Sequence, residues 1–248
     1  MLPIIQVGPL SIQTPGLILL ASGWIAISLV EHYAHSFNLS ADQLIKIVFT
    51  ALVAGVMGGR TLYILQYPSA FSSNLLSIFL PTPILFDAWG GLVVGILVGL
   101  ISAQKMGLPL WGVLDALSPG LAFFGIGLGV SHLSSGSFFG VPSSLPWSIF
   151  LWGDYRHPTQ VYEIIFALAI FGIIWFKKNK TGGTSQSYGD LFLTFLALSA
   201  FSSLVVDGFR AETAWLVGIF RMSQLMAWVI LAISLFFLNR RKRVTEIN

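Results

Sequence analysis

The sequence predicts an all-α integral membrane protein of seven transmembrane helices, with the N-terminus outside and the C-terminus in the cytoplasm. Three observations carry this. Of 248 residues, 55% are hydrophobic and only 9% charged, with a mean hydropathy of +0.83, whereas a soluble domain carries about 25% charged residues. Seven stretches approach the roughly 20 apolar residues that a bilayer crossing needs: 15–36, 45–66, 84–104, 110–133, 159–176, 189–207 and 215–238. Finally, the basic residues alternate in register with those crossings, which fixes the expected orientation.

The first span follows fourteen residues that lack a basic n-region and contain Pro3 and Pro9, so it is read as a retained helix rather than a cleaved signal. Span two holds Gly58, Gly59 and Arg60; small residues let helices approach closely, and an arginine at membrane depth needs a partner. Span three opens on Trp89-Gly90-Gly91. Span four is glycine-rich and carries Asp115 and Pro119, so a broken or re-entrant segment is an alternative there. An outer loop, 134–157, is uncharged until Asp154 and rich in Ser, Phe, Trp and Pro. It reads either as a surface that meets another apolar surface or as a gate over a lipid cleft. The polar run 154–163 then leads into span five, with Pro158 suited to a helix start and Gln160 and Glu163 three apart on one face. Span six ends on Asp207, Gly208, Phe209, Arg210, Ala211 and Glu212, and span seven leads into a basic tail, 239–248, suited to anionic inner-leaflet lipid. The whole of 1–248 is expected to form one membrane domain.

Lys46, Lys105, Lys177, Lys178, Lys180, Arg240, Arg241, Lys242 and Arg243 fall on one side, taken as cytoplasmic, so that all six lysines lie inside. The other four of the 13 basic residues are all arginines on the outer side: Arg60, Arg156, Arg210 and Arg221. Arginine presents a planar fork of donors that matches phosphate or carboxylate. These four either share an anion site, with Arg60, Arg156 and Arg210 converging on one phosphate-sized outer cavity, or snorkel to headgroups and pair with Asp87, Asp154, Glu163, Asp207 and Glu212. The chain has no cysteine, which excludes a disulfide scaffold and a nucleophilic thiol of its own. A net charge of +3, thinly scattered, excludes nucleic acid as a partner. His32 and His35 share a helical face, but without a third ligand they assign no metal or haem. Trp147, Trp152, Tyr155 and Trp215 suit an interfacial belt. No cofactor is expected.

Gly58-Gly59-Arg60, the run Arg156-His157-Pro158-Thr159-Gln160-Val161-Tyr162-Glu163, Arg210 and the pair Ser223-Gln224 together resemble the prolipoprotein diacylglyceryl transferase family. Gly8-Pro9 and Trp89-Gly90-Gly91 fall where that family has comparable signatures. The resemblance implies a multi-pass protein of the bacterial plasma membrane. It also implies transfer of the diacylglyceryl group from phosphatidylglycerol, or another anionic phospholipid, to the cysteine thiol of a lipoprotein precursor, releasing glycerol 1-phosphate. Such chemistry needs cationic donors for the phosphate and a base for the thiol. Arg60, Arg156 and Arg210 are the expected phosphate ligands, Arg210 also acting in catalysis, with His157, Gln160, Tyr162, Glu163 and Gln224 in support.

Several positions depart from the family pattern. Trp89 stands where the family has a histidine proposed to help activate the thiol. Aligned on Gly140, Gly129 replaces an essential arginine, His132 an asparagine and Ser137 a glutamate; near the start, Pro15 replaces a tyrosine. One missing cationic donor costs about a hundred- to thousandfold in rate. His132 is the candidate replacement base, since a neutral imidazole accepts a proton near pH 7; its alternative role is a hydrogen bond to a neighbouring loop. Two functions follow: a divergent transferase with a rearranged base, or a catalytically inactive paralogue that binds lipid as an accessory subunit of a larger membrane complex.

Overall fold

The computed structural model describes residues 4–7, 10–71, 86–181, 188–211, 216–217 and 220–247. Seven α-helices dominate, and all seven are long and apolar enough to cross a membrane. A short antiparallel hairpin, β1 (Ile4–Val7) and β2 (Leu10–Gln13), pairs Ile4 with Gln13 and Val7 with Leu10 and leads into α1 (Thr14–Ala34). Pro15 sits in the first turn of α1, where its missing N–H costs no hydrogen bond. A 3-10 turn over His35–Phe37 ends at Asn38, in the left-handed region with φ 56°, and reverses the chain into α2 (Ala41–Gln66).

Helix α3 (Ala88–Lys105) starts at Asp87, whose carboxylate accepts from the Gly90 amide at 3.0 Å. This cap places the start of the third span at 88 rather than 84; residues 84 and 85 lie outside the described residues. Helices α2 and α3 pack mainly on each other, backbone to backbone: a Cβ on Gly91 would lie 2.7 Å from the Gly55 carbonyl oxygen. Any side chain there would push the two helices apart.

Helix α4 (Leu110–Ser135) runs unbroken through Pro119, so the alternative of a broken or re-entrant fourth span does not hold. It is the most enclosed helix, with half of its apolar window buried against 11% in α1, α2 and α7. Protein surrounds Pro119, which is itself fully buried, the setting in which a membrane helix tolerates proline. The helix stops at Gly136, in the left-handed region with φ 74°, whose amide bonds the His132 carbonyl at 2.9 Å. The outer loop holds a second antiparallel hairpin, β3 (Ile149–Leu151) and β4 (Asp154–Arg156). Helix α5 (Thr159–Thr181) follows, then α6 (Asp190–Asp207).

The stretch expected to begin the seventh span at 215 instead forms a third hairpin, β5 (Leu216–Val217) and β6 (Phe220–Arg221), and α7 starts only at Met222, running to Ile247. Leu216, Val217 and Phe220 are as apolar as helix residues, so hydropathy could not separate them from the span.

The two ends of the bundle differ. A continuous apolar cluster that includes Tyr33, Ala34, Phe37, Leu44, Val113, Ala116 and Ile174 fills the end where α1 meets α2. At that end Asp115 of α4 accepts from the Phe192 amide at 2.8 Å and from the Gly189 amide, tying down the start of α6. Arg241 of α7 lies 4.5 Å over the Trp111 ring and donates to the Tyr188 carbonyl. With the apolar packing concentrated there, the opposite end carries hairpins, loops and paired charges.

Candidate functional site

At that opposite end, the last turn of α4, the loop 136–142, the first turn of α5 and the last turn of α6 meet. Thr159 and Gln160 are fully buried, although a helix start ordinarily faces water. Their reason is the loop: the Thr159 hydroxyl donates to the Phe138 carbonyl at 2.7 Å, and the Gln160 amide donates to the Ser137 carbonyl at 2.8 Å. Two backbone acceptors that would be costly to bury unpaired are thereby satisfied. The loop continues as a ladder: Gly140 bridges to Arg210 and Pro142 to Arg156, with the Ala211 amide donating to the Phe139 carbonyl at 2.9 Å. The polar run 156–163 thus acts first as a clamp on residues 137–142.

The clamp delivers a chain of charges. Nδ1 of His132 lies 2.8 Å from Oε2 of Glu163, and the same oxygen accepts from Nη2 of Arg210 at 3.1 Å. Nη1 of Arg210 donates to Oδ1 of Asp207 at 2.8 Å. The spacing of Asp207 and Arg210, three residues apart across the end of α6, sets this last pair. The side chains of His132, Glu163 and Arg210 are each about one-fifth exposed and Asp207 only 4%, so the charges act on one another with little screening. A carboxylate only accepts hydrogen bonds, so the Glu163 contact places the proton of a neutral His132 on Nδ1 and leaves Nε2 with its lone pair. Arg221 joins from α7's side by donating to the Arg210 carbonyl.

Phe138 sits inside this group. Its ring is 4.2 Å from the His132 ring, centroid to centroid, and the Arg210 guanidinium carbon stands 4.8 Å from the same Phe138 centroid. Its backbone is left-handed, with φ 54°, a conformation that a bulky side chain seldom adopts and that costs about 1–3 kcal/mol. The sequence named Asp207 only as an acid that could pair with an outer arginine, as it does with Arg210, and did not single out Phe138. The spacing of Asp207 and Arg210 offered a signal for that pair; nothing in the sequence distinguished Phe138 from 19 other phenylalanines.

The remaining expected residues are placed as follows. Arg156 donates from Nε to the Leu151 carbonyl at 3.1 Å and from Nη1 to the Gly140 carbonyl at 3.4 Å, and stacks 5.0 Å from the Phe139 ring. The ladder therefore brings Arg156 and Arg210 onto one loop. Arg60, in the last two turns of α2, stacks 5.2 Å from the centroid of the Phe71 ring. Nδ1 of His157 lies 3.2 Å from the Tyr162 hydroxyl, which also accepts from the Trp147 indole at 2.8 Å. Gln224 is in the first turn of α7, partly exposed. Gly8, Pro9, Glu212 and Trp215 lie outside the described residues.

Two cavities open at this end. One of about 400 Å³ is bordered by Leu145, Trp147, His157, Tyr162, Ile165 and Phe209. The other, of about 660 Å³, is bordered by Pro142, Ser143, Leu145, Ser148, Asp154 and Tyr155. Neither is lined by Arg60, Arg156 or Arg210; Arg210 is bonded to two carboxylates and Arg156 to loop carbonyls. Among the described residues no group of three or more His, Asp or Glu is placed to hold a metal ion.

The positions read as departing from the family pattern are placed as follows. A Cβ on Gly129 would lie 2.8 Å from Cγ1 and 3.2 Å from the backbone nitrogen of Ile164, so α5 occupies the space a longer side chain would need. Trp89 is 72% exposed in the first turn of α3. Ser137 accepts from Gln160 through its carbonyl, and Ser131, on α4, donates to the Pro15 carbonyl at 3.2 Å, joining α4 to the start of α1.

Fold and site together define a polytopic membrane protein that gathers a histidine, two carboxylates and an arginine where three helix ends meet. Residues 3–240 match the family model described as prolipoprotein diacylglyceryl transferase; the chain belongs to that family. Curated relatives named phosphatidylglycerol–prolipoprotein diacylglyceryl transferase include those of Nostoc sp., 24% identical over 94% of this chain and 86% of the relative, and of Streptococcus equi subsp. equi, 27% identical over 98% and 96%. That of Prochlorococcus marinus is 26% identical over 86% and 79%.

Proposed function

We propose that this chain transfers the diacylglyceryl group of phosphatidylglycerol to the cysteine thiol of a lipoprotein precursor, at the outer face of a bacterial plasma membrane with its N-terminus outside and its C-terminus cytoplasmic. Family membership over nearly the whole chain supports the reaction. The charge count supports the orientation, with every lysine on one side. The observation that carries the mechanism is the contact between His132 and Glu163.

In this reading Glu163 holds the His132 Nδ1 proton and leaves Nε2 to take the proton of the substrate thiol. The thiolate sulfur attacks the glyceryl carbon that bears the phosphate ester. A carbon–sulfur bond forms, the carbon–oxygen bond to phosphate breaks, and glycerol 1-phosphate leaves with the electron pair. Arg210 and Arg156, joined through the loop 139–142, are assigned to the phosphate, where positioned cations stabilise the developing charge. Arg60 is assigned to the same headgroup from α2, supported by its place in the last two turns of that helix. Tyr162, His157 and Gln160 support the loop, and Gln224 supports it from α7. Other anionic phospholipids fit the same cationic site.

The test is transfer of a labelled diacylglyceryl group from phosphatidylglycerol to a lipobox peptide by the full chain purified with its lipids, beside an intact family member. Turnover that His132→Gln abolishes establishes the reading. The competing reading, an inactive lipid-binding subunit of a membrane complex, draws on the closed packing at Gly129. A clean zero beside an active control selects it.

A further inference from the structure

Within the group of charges, one apolar side chain makes contacts that packing alone does not require. Phe138 occupies the second position after Gly136, where the chain leaves α4. Its φ of 54° is stabilised by the Thr159 hydroxyl on its carbonyl and by Gln160 on the carbonyl before it. The result of that backbone geometry is the direction of the ring. It points back toward α4, onto the imidazole of His132 at 4.2 Å with the planes tilted by 42°, and at the same time toward the Arg210 guanidinium, 4.8 Å away. Over a third of Phe138 is exposed, so the ring is not merely filling a core.

We propose that Phe138 is a positioning residue: its ring is the spacer that aims both His132 and Arg210 at the single oxygen Oε2 of Glu163. The physical case is geometric and electronic. One carboxylate oxygen accepts two donors only along its two lone-pair directions, so the pair at 2.8 and 3.1 Å requires both side chains to approach at fixed angles. An aromatic face attracts a guanidinium and offers a flat support for an imidazole, so one ring limits both side chains. An aliphatic residue of similar volume supplies the bulk but not the face. The charged groups that face His132 are Glu163 directly and Arg210 through the shared oxygen, with Asp207 behind Arg210. The proposal rests on the reading of His132 as the base for its effect on turnover, but its effect on the imidazole does not depend on turnover.

The test uses the full chain in phosphatidylglycerol nanodiscs with ring-labelled histidine, the His132 signal being assigned by its loss in His132→Gln. Titration of that signal is compared in the parent, Phe138→Leu and Phe138→Tyr, with transfer to a lipobox peptide measured in parallel. The expected result is that Phe138→Leu displaces the His132 midpoint and lowers kcat by about tenfold or more with little change in KM, as expected when a reacting group is misplaced. Phe138→Tyr keeps the parent midpoint and rate. Should Phe138→Leu fail to insert, Phe138→Met serves as the aliphatic variant. An unchanged midpoint in the aliphatic variant, or a tyrosine variant as impaired as the aliphatic one, overturns the proposal. Absence of transfer by every form, with the midpoint still displaced only in the aliphatic variant, sinks the transferase reading and leaves the positioning role of Phe138 in place.

Discussion

Glu163 is the residue on which the site turns, because one of its oxygens holds both a histidine and an arginine. Glu163→Gln keeps the shape and removes the charge. Arg210 retains Asp207, so the fold should survive, while the His132 imidazole loses the carboxylate that fixes its tautomer. Turnover in the lipobox assay should drop by about a hundredfold or more, with the thermal midpoint in detergent moved far less than in Glu163→Ala, which strands two donors. Equal losses of stability in both variants would mean that the carboxylate is only a structural plug. A second residue-scale prediction concerns Gly129. Returning the arginine of the family pattern there should not raise activity, because Ile164 of α5 fills the space. Gly129→Arg should destabilise the chain by about 1–3 kcal/mol or more, as overpacking does, and Ile164→Ala in the same chain should recover part of that loss. Improved turnover in the single Gly129→Arg variant would show that α5 yields more easily than its packing implies. At this scale the sequence was informative about chemistry and poor on geometry. Arginine, histidine and glutamate in the run 156–163 stood out as polar groups at a membrane boundary, and His132 as a candidate base. That Thr159 and Gln160 would turn inward to hold the carbonyls of 137 and 138 was invisible, since it depends on where a loop 21 residues earlier happens to pass.

At the scale of elements, helix starts decide where the spans begin, and α3 is the clearest case. Its cap carboxylate, Asp87, accepts from the Gly90 amide at 3.0 Å and from the Gln66 side-chain amide of α2 at 2.8 Å. These bonds, the Gly90 amide first, hold the Asp87 carboxyl below its ordinary pKa. The sign follows from the depressed value: the folded state favours the ionised form, so the stabilisation is present above the pH at which an unfolded aspartate titrates. It is lost as pH falls through the lower folded value. Asp87→Asn keeps an acceptor for Gly90 but carries no titrating charge. Parent and variant should therefore differ in thermal midpoint at neutral pH and converge on acidification; a gap independent of pH would mean that the cap acts only as a neutral acceptor. The same element scale shows what hydropathy can and cannot resolve. It found all seven helices, because an apolar run of that length has few other fates. It extended the third and seventh spans too far toward their N-termini, because Leu216, Val217 and Phe220 are equally apolar in the β5–β6 hairpin. It also left Pro119 open as a break, since the protection that α4 receives from its neighbours is a tertiary fact.

For the whole molecule, the division between an apolar, tightly packed end and an end of hairpins and paired charges makes orientation the property on which function depends. In the proposed reaction a headgroup phosphate and a precursor thiol reach His132 and Arg210 from the side that the α4–α5 loop faces. In the proposed orientation that side is outside, with Lys46, Lys105 and Lys177 at the other end, where Arg241 is held over Trp111. The chain contains no cysteine, so any single cysteine introduced into it reports on its own position. Ser144, exposed in the outer loop, and Asn239, exposed near the end of α7, are suitable reporters at the two ends. In intact cells a membrane-impermeant thiol reagent should label Ser144→Cys and spare Asn239→Cys, and permeabilisation should make the second reactive. The reverse pattern would place the His132–Glu163–Arg210 group on the cytoplasmic side, where the positive-inside asymmetry would be violated by nine basic residues. The thiol acceptor of the proposed reaction would then have to be met before the precursor crosses the membrane rather than after.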